Sequence, residues 1–581
     1  MCGIAAVIGE GVDIDQVVDC LQHRGPDHRG VERFGRVSLG MVRLAILDPR
    51  PRSNQPFSIG SHTIVYNGEI YNYREVRARL AAKGITFITE SDTEVLARAL
   101  IADGPEALGG FEGMFAFVLL DHETGRVLIG RDRDGIKPLY HRATPTGHVF
   151  ASEARAAALG ATAPAIGAIR EFLAFGSTWS HPVFESVEEF PPGHFAELGT
   201  DGELRFTEFD PEPCVAAADV VDSFDGLIER HIRSDRPVAL ALSGGFDSAL
   251  LASRIAPMAP GTTAVTLDTG HMAHDVEGAR RTAAHYGLPI EVHRVDPASI
   301  PDAFVRYIRA MDQPTVDGFN TFLLSEFIRS QGIPVLISGL GADEALNGYS
   351  YARYGRRQRL LRMVYRLLPG PGREILNDRI ASRFQRTPEN VHRLLTPGTP
   401  PVAQFFAWRE IFGPDEITAM TGGRASLPAM PPGLTDNQAF QQLDRLVYLR
   451  CTLLRDTDIF SMASGVEMRV PFVSDAFRSI AATLPTRSKN RLAEIFADPY
   501  LVERATAPKT GFSLPLDTWS EIVAGDRAGA PVPSASRSFD HKAINDVLRR
   551  LETGPYAGLR KWSIAVLFAW LSKHSSEPLP R

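Results

Sequence analysis

The stretch Val238 to Ser248, VALALSGGFDS, constrains the fold of this chain more than any other. Five apolar residues stop at Ser243-Gly244-Gly245, and a helical spacing of Leu250, Leu251 and Ile255 follows, so the glycines fall in a strand-to-helix turn. Successive backbone N–H groups in such a turn, with the positive end of the following helix, hold a phosphate or pyrophosphate, and glycine permits the close approach. The turn lacks the Gly-Lys-Ser/Thr ending of a Walker loop, but Asp247 is suited to hold Mg²⁺ between phosphates. A Ser-Gly-Gly turn is also an ordinary tight connection, so its surroundings decide. From about Val215 helix and strand alternate, with strands predicted at Val238–Leu242, Thr263–Leu267, Ile290–Val295 and Val335–Ser338. Helices are predicted at Ala249–Ile255, Glu277–Tyr286, Phe304–Met311 and Thr321–Ser330. That alternation predicts a doubly wound parallel sheet with its ligands at the carboxyl ends of the strands. Ser243, Asp268 and Ser338 all stand at such ends.

The first 200 residues read differently. Short strands are predicted at Ile4–Ile8, Ser38–Leu47, Thr63–Tyr66, Met114–Leu120, Val127–Gly130 and His148–Ala151, with helical spacing only around Tyr73–Ala82 and Asp92–Ala102. Stacked antiparallel sheets with two helices, an α+β layer structure, are expected. Proline-punctuated Leu198 to Pro213 marks a boundary. Residues 351–473 read as mostly helical, with Arg353 to Arg366 as a solvated face, and an amphipathic helix is predicted near Ile564–Leu571. With 581 residues the chain is too long for one core.

A formal charge of -7 gives no basic footprint for nucleic acid, and no run of eighteen apolar residues calls for a membrane. Without a basic signal region at its start, the chain is expected in the cytoplasm. Cys2, Cys20, Cys214 and Cys451 have neither disulfide-framework nor zinc-cluster spacing. Only seven of the 62 basic residues are lysine, so each lysine is worth inspecting.

Cys2 becomes the terminal residue once Met1 is removed, and its α-amine, with a reference pKa of about 7.7–8.0, can serve as base for its own thiol. A small buried residue in a first strand is the plainer alternative. The ordered set Cys2-Gly3-Ile4, His23 to Asp27, Arg43 to Ile46, Asn67 to Asn72, Ser91 to Glu94 and Arg131 to Tyr140 resembles the glutaminase domain of class II glutamine amidotransferases, an N-terminal nucleophile fold. That resemblance implies Cys2 as nucleophile and the Asn67 side chain and Gly68 N–H as oxyanion donors. It also implies Arg43 for the glutamine carboxylate, and Glu69 and Asp92 for its ammonium. Arg24 and Asp27 read as structural.

Ser-Gly-Gly-Phe-Asp-Ser resembles the pyrophosphate loop of ATP-pyrophosphatases. Joined to this glutaminase, it resembles the asparagine synthetase family, as do Asp312-Gln313-Pro314, Ile337 to Glu344, Leu454 to Asp458, Val466 to Phe472 and Lys509 to Phe512. The implied organisation is a glutaminase domain over 1–205, an ATP-pyrophosphatase domain with a helical C-terminal part over 215–520, and a tail of unassigned role over 521–581. The implied chemistry is ATP-dependent adenylation of a carboxylate such as aspartate, with Mg²⁺, followed by displacement of AMP by ammonia. Leu242, Ser338 and Gly339 would contact adenosine, Ser243, Gly244, Gly245, Asp247 and Ser248 the phosphates, Asp247 and Asp343 the Mg²⁺, and Lys509 the developing charge. A homodimer is expected from the resemblance alone.

Three positions depart from the family pattern. Leu340 stands where glutamate is usual, Gln313 where glutamate is common, and Ile459-Phe460 where Arg-Met usually follows the aspartate. Leucine can neither accept a proton nor orient ammonium. The departures leave three readings open. One is an enzyme that tolerates them and uses aspartate. Another is an acceptor pocket refitted for a different, less charged carboxylate. The third is a degenerate synthetase half serving as a glutamine-binding regulatory protein.

Overall fold

A computed structural model describes residues 2–161, 163–199, 202–210, 219–271, 273–346, 348, 355–384, 388–431, 433–507, 514–526, 540–550 and 557–576. The N-terminal part holds strands β1 (Cys2–Ile8), β2 (His28–Phe34), β3 (Val37–Arg43), β4 (Phe57–Ile59), β5 (His62–Ile70), β6 (Gly113–Asp121), β7 (Val127–Arg131), β8 (Tyr140–Thr144), β9 (Gly147–Ala151), β10 (Glu188–Glu189), β11 (His194–Leu198) and β12 (Leu204–Glu208). They form two antiparallel sheets, in the orders β10-β8-β9-β1-β3-β2 and β12-β11-β7-β6-β5-β4. Period-two alternation explains the layering. Cys2, Ile4, Ala6 and Ile8 on one face of β1 pack with Val65, Ala116, Val118 and Ile129 of the second sheet. Ala5 and Val7 on the other face pack with Val17, Val18 and Leu21. The outer face of the second sheet, with Tyr66, Phe115 and Phe117, is covered by Val76, Leu80, Val95 and Leu96 of helices Tyr73–Ala82 and Asp92–Asp103.

The strand predicted over Ser38–Leu47 ends at Arg43 instead. Beyond it Ala45 N–H donates to Asp27 Oδ2 at 2.8 Å, and the Arg43 guanidinium donates to the Leu47 and Asp48 carbonyls, which folds the chain back. Asp48 lies in the left-handed region, at φ 41°.

The second part carries a parallel five-stranded sheet of β13 (Val238–Ala241), β14 (Thr263–Asp268), β15 (Ile290–Arg294), β16 (Val335–Ile337) and β17 (Glu467–Arg469), in the order β15-β14-β13-β16-β17. Helices cover both faces. Leu240, Ala264 and Ile337 pack with Phe224, Leu250 and Ala279, while Ala239, Val265 and Leu336 pack with Ile328. The expected layered and doubly wound folds are both present. β17 was not expected, because Glu-Met-Arg does not read as a buried strand. It is buried throughout because Arg469 Nε donates to Glu467 Oε1 at 2.5 Å, so the two charges satisfy each other.

The helix predicted near Ile564–Leu571 is present as the last helix, Ala557–Ser576, but most of its described residues are buried rather than one face alone. Trp562 and Trp570 are fully buried, Trp562 against Phe304 and Phe319, and Trp570 Nε1 donates to the Asp312 carbonyl. No helix among the described residues is long and apolar enough to cross a membrane.

Candidate active sites

The first site forms where β1 and β5 start and end beside helix Asp92–Asp103. Cys2, Arg43, Gly68, Glu69 and Asp92 line one cavity of about 20 Å³, with room for about one water. Cys2 N–H donates to Asn67 Oδ1 at 3.0 Å. Asn67 is fully buried, and its Nδ2 has no hydrogen-bond acceptor among the described residues. Buried donors are normally satisfied, so an unpaired amide beside a thiol-bearing residue marks room for an oxygen that is not part of the protein. A side chain on Gly68 would drive a Cβ to 2.1 Å from the Met114 carbonyl oxygen, so β5 and β6 can pair here only through glycine.

Charges of both signs surround this cavity. The Arg43 guanidinium donates to neutral oxygens, Asn54 Oδ1 at 2.8 Å and the carbonyls of Leu47, Asp48 and Arg50, so its charge is not cancelled by a carboxylate. Asp92 accepts from Tyr66 Oη at 2.7 Å and Ile70 N–H at 3.0 Å, and burial raises its carboxyl above the ordinary range. Burial raises Glu69 further, opposed by Arg469, whose Nη2 lies 3.4 Å from Glu69 Oε2. Gln55, Tyr66 and Thr93 also line the cavity, with Leu44, Ile46, Leu47 and Ser91, and the sequence assigns none of these a role. Gln55 takes its place through contacts invisible in sequence, accepting from Tyr66 N–H at 2.6 Å and donating to Thr93 Oγ1 at 3.2 Å.

The second site lies at the carboxyl ends of β13, β14 and β16. Leu242, Ser243, Asp247, Ser248, Ser338 and Gly339 line a cavity of about 280 Å³, together with Asp275, Asp317, Asp456, Leu340 and Leu453. Gly245 caps helix Phe246–Met258, so Asp247 and Ser248 fall in its first turn. The Ser243–Ser248 loop is held by Ser248 Oγ, which accepts from Ser243 N–H at 3.1 Å. Gly244 N–H donates to Asp275 Oδ1, and a Cβ on Gly278 would come within 2.6 Å of Gly244 Cα, so helix Ala273–Tyr286 seats directly on the turn. Gly244 and Gly245 shape the loop without lining the cavity.

Lys489 Nζ lies 2.6 Å from both Asp247 Oδ2 and Asp343 Oδ1. Burial works to lower the Lys489 ammonium, and the two carboxylates outweigh it and hold it above the ordinary lysine value. Lys489 was not singled out by motif, although the scarcity of lysine was a usable signal. Lys509, which was, lies outside the described residues. The ammonium marks a position where a cation is balanced by both carboxylates, and this donor chemistry fits Mg²⁺. Among the described residues no third His, Cys, Asp or Glu joins them to make a protein-only metal cluster.

Of the three departures from pattern, only Leu340 faces this cavity. Gln313 is buried between the domains, donating to Tyr140 Oη at 2.6 Å and accepting from Thr178 Oγ1 at 3.2 Å. Phe460 stacks on Tyr307 with centroids 4.5 Å apart, and Ile459 lies in the core.

The two halves are joined by buried charge. Asp458 accepts from Arg24 Nη2 at 2.6 Å and Lys137 Nζ at 2.8 Å, and Arg24 Nε reaches the Cys2 carbonyl at 3.2 Å. Burial pushes Asp458 up, but Arg24 and then Lys137 outweigh it and hold it below the ordinary carboxylate range. One apolar cluster also spans the boundary. Leu44 and Ile46, which line the first cavity, share it with Met114, Ile136, Leu454 and Val470, and with Leu340 and Leu453 of the second.

Comparison with known proteins gives this architecture its class. The glutamine amidotransferase domain family matches residues 1–209 and the asparagine synthase family residues 219–572. Asparagine synthetase (glutamine-hydrolyzing) 1 of Bacillus subtilis (strain 168) is 27% identical over 573 residues, 89% of this chain and 88% of its own. Amidase chry2 of Gibberella zeae is 30% identical over 419 residues, 61% of this chain and 60% of its own. The asparagine synthetase (glutamine-hydrolyzing) of Sandersonia aurantiaca is 30% identical over 384 residues, 60% of this chain and 67% of its own. The protein is a glutamine-hydrolysing amidotransferase ligase by class, with ATP as a substrate. More narrowly, the chain belongs to the asparagine synthase family.

Proposed function

We propose that this chain amidates a carboxylate with ammonia drawn from glutamine, through an acyl-adenylate, and that AMP, pyrophosphate and glutamate are released. The observation that carries the first half is the orphaned Asn67 Nδ2 beside Cys2. With Met1 removed, the Cys2 α-amine takes the thiol proton, and the thiolate attacks the glutamine side-chain carbonyl carbon. The C–N bond breaks as the α-ammonium returns its proton to the departing ammonia, and water hydrolyses the resulting thioester to glutamate and free Cys2. Asn67 Nδ2 and Gly68 N–H receive the oxyanion. Arg43 binds the substrate carboxylate, and Glu69 and Asp92 its ammonium.

In the second half, adenosine sits against Leu242, Ser338 and Gly339, and the phosphates lie on the Ser243–Ser248 turn and the start of its helix. Asp247 and Asp343 would hold Mg²⁺, which supplies charge neutralisation on the phosphates. Lys489 reaches the same two carboxylates, and Lys509 is assigned to charge developing on the phosphates or acyl oxygen. Adenylation gives the carboxylate a leaving group, and ammonia displaces AMP to leave the amide. The apolar cluster from Leu44 and Ile46 to Leu340 and Leu453 supports passage of neutral ammonia between the cavities. The chain acts in the cytoplasm and forms a homodimer by analogy with the family.

Aspartate is the default acceptor. One observation favours a different, less charged carboxylic acid: Leu340 extends the apolar cluster to the cavity wall where a carboxylate is usual. The 30% identity to an amidase, chry2, fits that second reading. The test is release of AMP and pyrophosphate with ATP, Mg²⁺ and glutamine, with and without aspartate. Aspartate-dependent AMP with asparagine as product establishes the default acceptor. Glutamate release without aspartate-dependent AMP moves the search to other carboxylic acids. No pyrophosphate release with any carboxylate overturns the synthetase reading.

A further inference from the structure

Arg469 lines neither cavity but contacts one lining residue of each, Glu69 through its side chain and Ser338 through its backbone carbonyl. Its side chain is fully buried, with Nε on Glu467 Oε1, Nη1 on the carbonyls of His231 at 2.7 Å and Arg233 at 2.6 Å, and Nη2 at 3.4 Å from Glu69 Oε2. The Glu69 contact is the long one of this set, and it crosses from the synthetase sheet into the glutamine cavity. Its backbone does a second job. In β17 Arg469 pairs with Ile337, and its carbonyl accepts the Ser338 N–H at 2.9 Å, while the neighbouring Met468 lines the nucleotide cavity.

We propose that Arg469 is a positioning residue that links glutamine occupancy to the nucleotide pocket. The inference rests on the assignment of Glu69 to the substrate ammonium. In the protein without substrate, the Arg469 guanidinium is paired with Glu467 and also lies 3.4 Å from the Glu69 carboxyl. An arriving ammonium supplies a second cation to the same carboxylate, which weakens the 3.4 Å contact and leaves Arg469 to Glu467 and the two carbonyls. Because the Arg469 carbonyl pins Ser338, the two states of the guanidinium correspond to two settings of the nucleotide pocket. Linkage requires the effect to be reciprocal, so nucleotide changes glutamine affinity by the same factor that glutamine changes nucleotide affinity.

Full-length Cys2→Ala protein, which holds glutamine without turning it over, provides the test. Glutamine affinity is measured by calorimetry with and without the β,γ-imido analogue of ATP and Mg²⁺. The expected result is a change in glutamine Kd of roughly 5- to 150-fold, the usual span of coupling. In Cys2→Ala/Arg469→Lys it falls to about 1-fold, because an ammonium cannot span four acceptors that a planar fork reaches together. A purely structural role lowers both affinities and leaves their ratio intact, and that outcome overturns the proposal, as does a parent protein with no linkage. A measurement without the Lys variant reads the same point: glutamine alone changes amide exchange at Ser338 in the parent, and unchanged exchange there counts against the link. A Cys2→Ala protein that binds no glutamine at all overturns the Glu69 assignment itself, and with it the proposal.

Discussion

The cavity beside Cys2 and the cavity beside Ser243 are built on different plans. The first is lined by Cys2, Arg43, Tyr66, Gly68 and Glu69 of antiparallel strands, by Leu44, Ile46, Leu47 and Gln55 of the connecting chain and by the start of one helix, its residues are almost wholly buried, and about 20 Å³ is left between them. The second is lined by the ends of parallel strands, Ala241, Leu267 and Met468 among them, together with a turn and helix starts, and about 280 Å³ is open. A small zwitterion is recognised by a few charges at fixed distances, which paired strands supply. A phosphorylated substrate is recognised mainly by backbone N–H groups and a cation at a helix start, and those come from turns. The charges also differ in their resting state. Arg43 is braced by neutral oxygens, whereas Asp247 and Asp343 already hold the Lys489 ammonium.

The most direct way to break this comparison is to disable one plan and leave the other. Cys2→Ala is expected to lower glutamine-dependent product formation by about 10⁴-fold or more, while ammonium chloride still supports AMP release. Loss of both activities in a folded variant would contradict two separate sites. Lys489→Ala is the converse, with pyrophosphate release lowered by roughly 10²- to 10³-fold and glutamate release nearly unchanged. An unaffected synthetase rate would mean that Lys489 only balances the two aspartates at rest. Asn67→Ala sharpens the first plan. It should reduce glutamine hydrolysis by about 10²- to 10³-fold with little change in glutamine KM, since the donor serves the oxyanion rather than the bound amide. A change confined to KM would assign Asn67 to ground-state binding.

How far each plan could be read in the sequence follows from the same contrast. The resemblance to class II glutamine amidotransferases, and not local pattern, points to Cys2, Arg43, Gly68, Glu69 and Asp92 of the first cavity, while strand alternation brings out the two sheets. Lys489 is missed because it reaches Asp247 from a helix 242 residues later in the chain, where nothing local distinguishes it from a surface lysine. β17 is missed because its burial depends on a Glu467–Arg469 pairing rather than on apolar residues. Leu340 was visible as a departure, but that it alone faces the cavity depends on packing. Gln313 and Phe460, equally conspicuous in sequence, turn out to hold Tyr140 and Tyr307.

The smallest expected effect is also the one that divides the two regions most finely, because it concerns two aspartates two residues apart on helix Arg455–Met462. Asp456 lines the nucleotide cavity, and Asp458 grips Arg24 and Lys137 of the glutaminase domain. Burial raises Asp456 to about 7, with Arg455 opposing and Asp317 adding to the rise. In the unfolded chain it titrates near ~3.9. Between those values the folded state keeps a proton that the unfolded state has released, so the contribution of Asp456 to stability falls as pH rises from about 4 to about 7. Asp458 has the opposite sign. Its depressed value makes it stabilising above the unfolded carboxylate pKa, and that stability is lost as pH falls through the folded value. Asp456→Asn is therefore expected to raise Tm relative to the parent at pH 7.5 by about 2–4 °C, and the gain should vanish near pH 4. Asp458→Asn should lower Tm at pH 7.5, with the loss shrinking as the solution is acidified. Parallel pH profiles for the two variants would mean that the helix senses both cavities alike; crossing profiles keep the synthetase-facing and glutaminase-facing carboxylates electrostatically distinct.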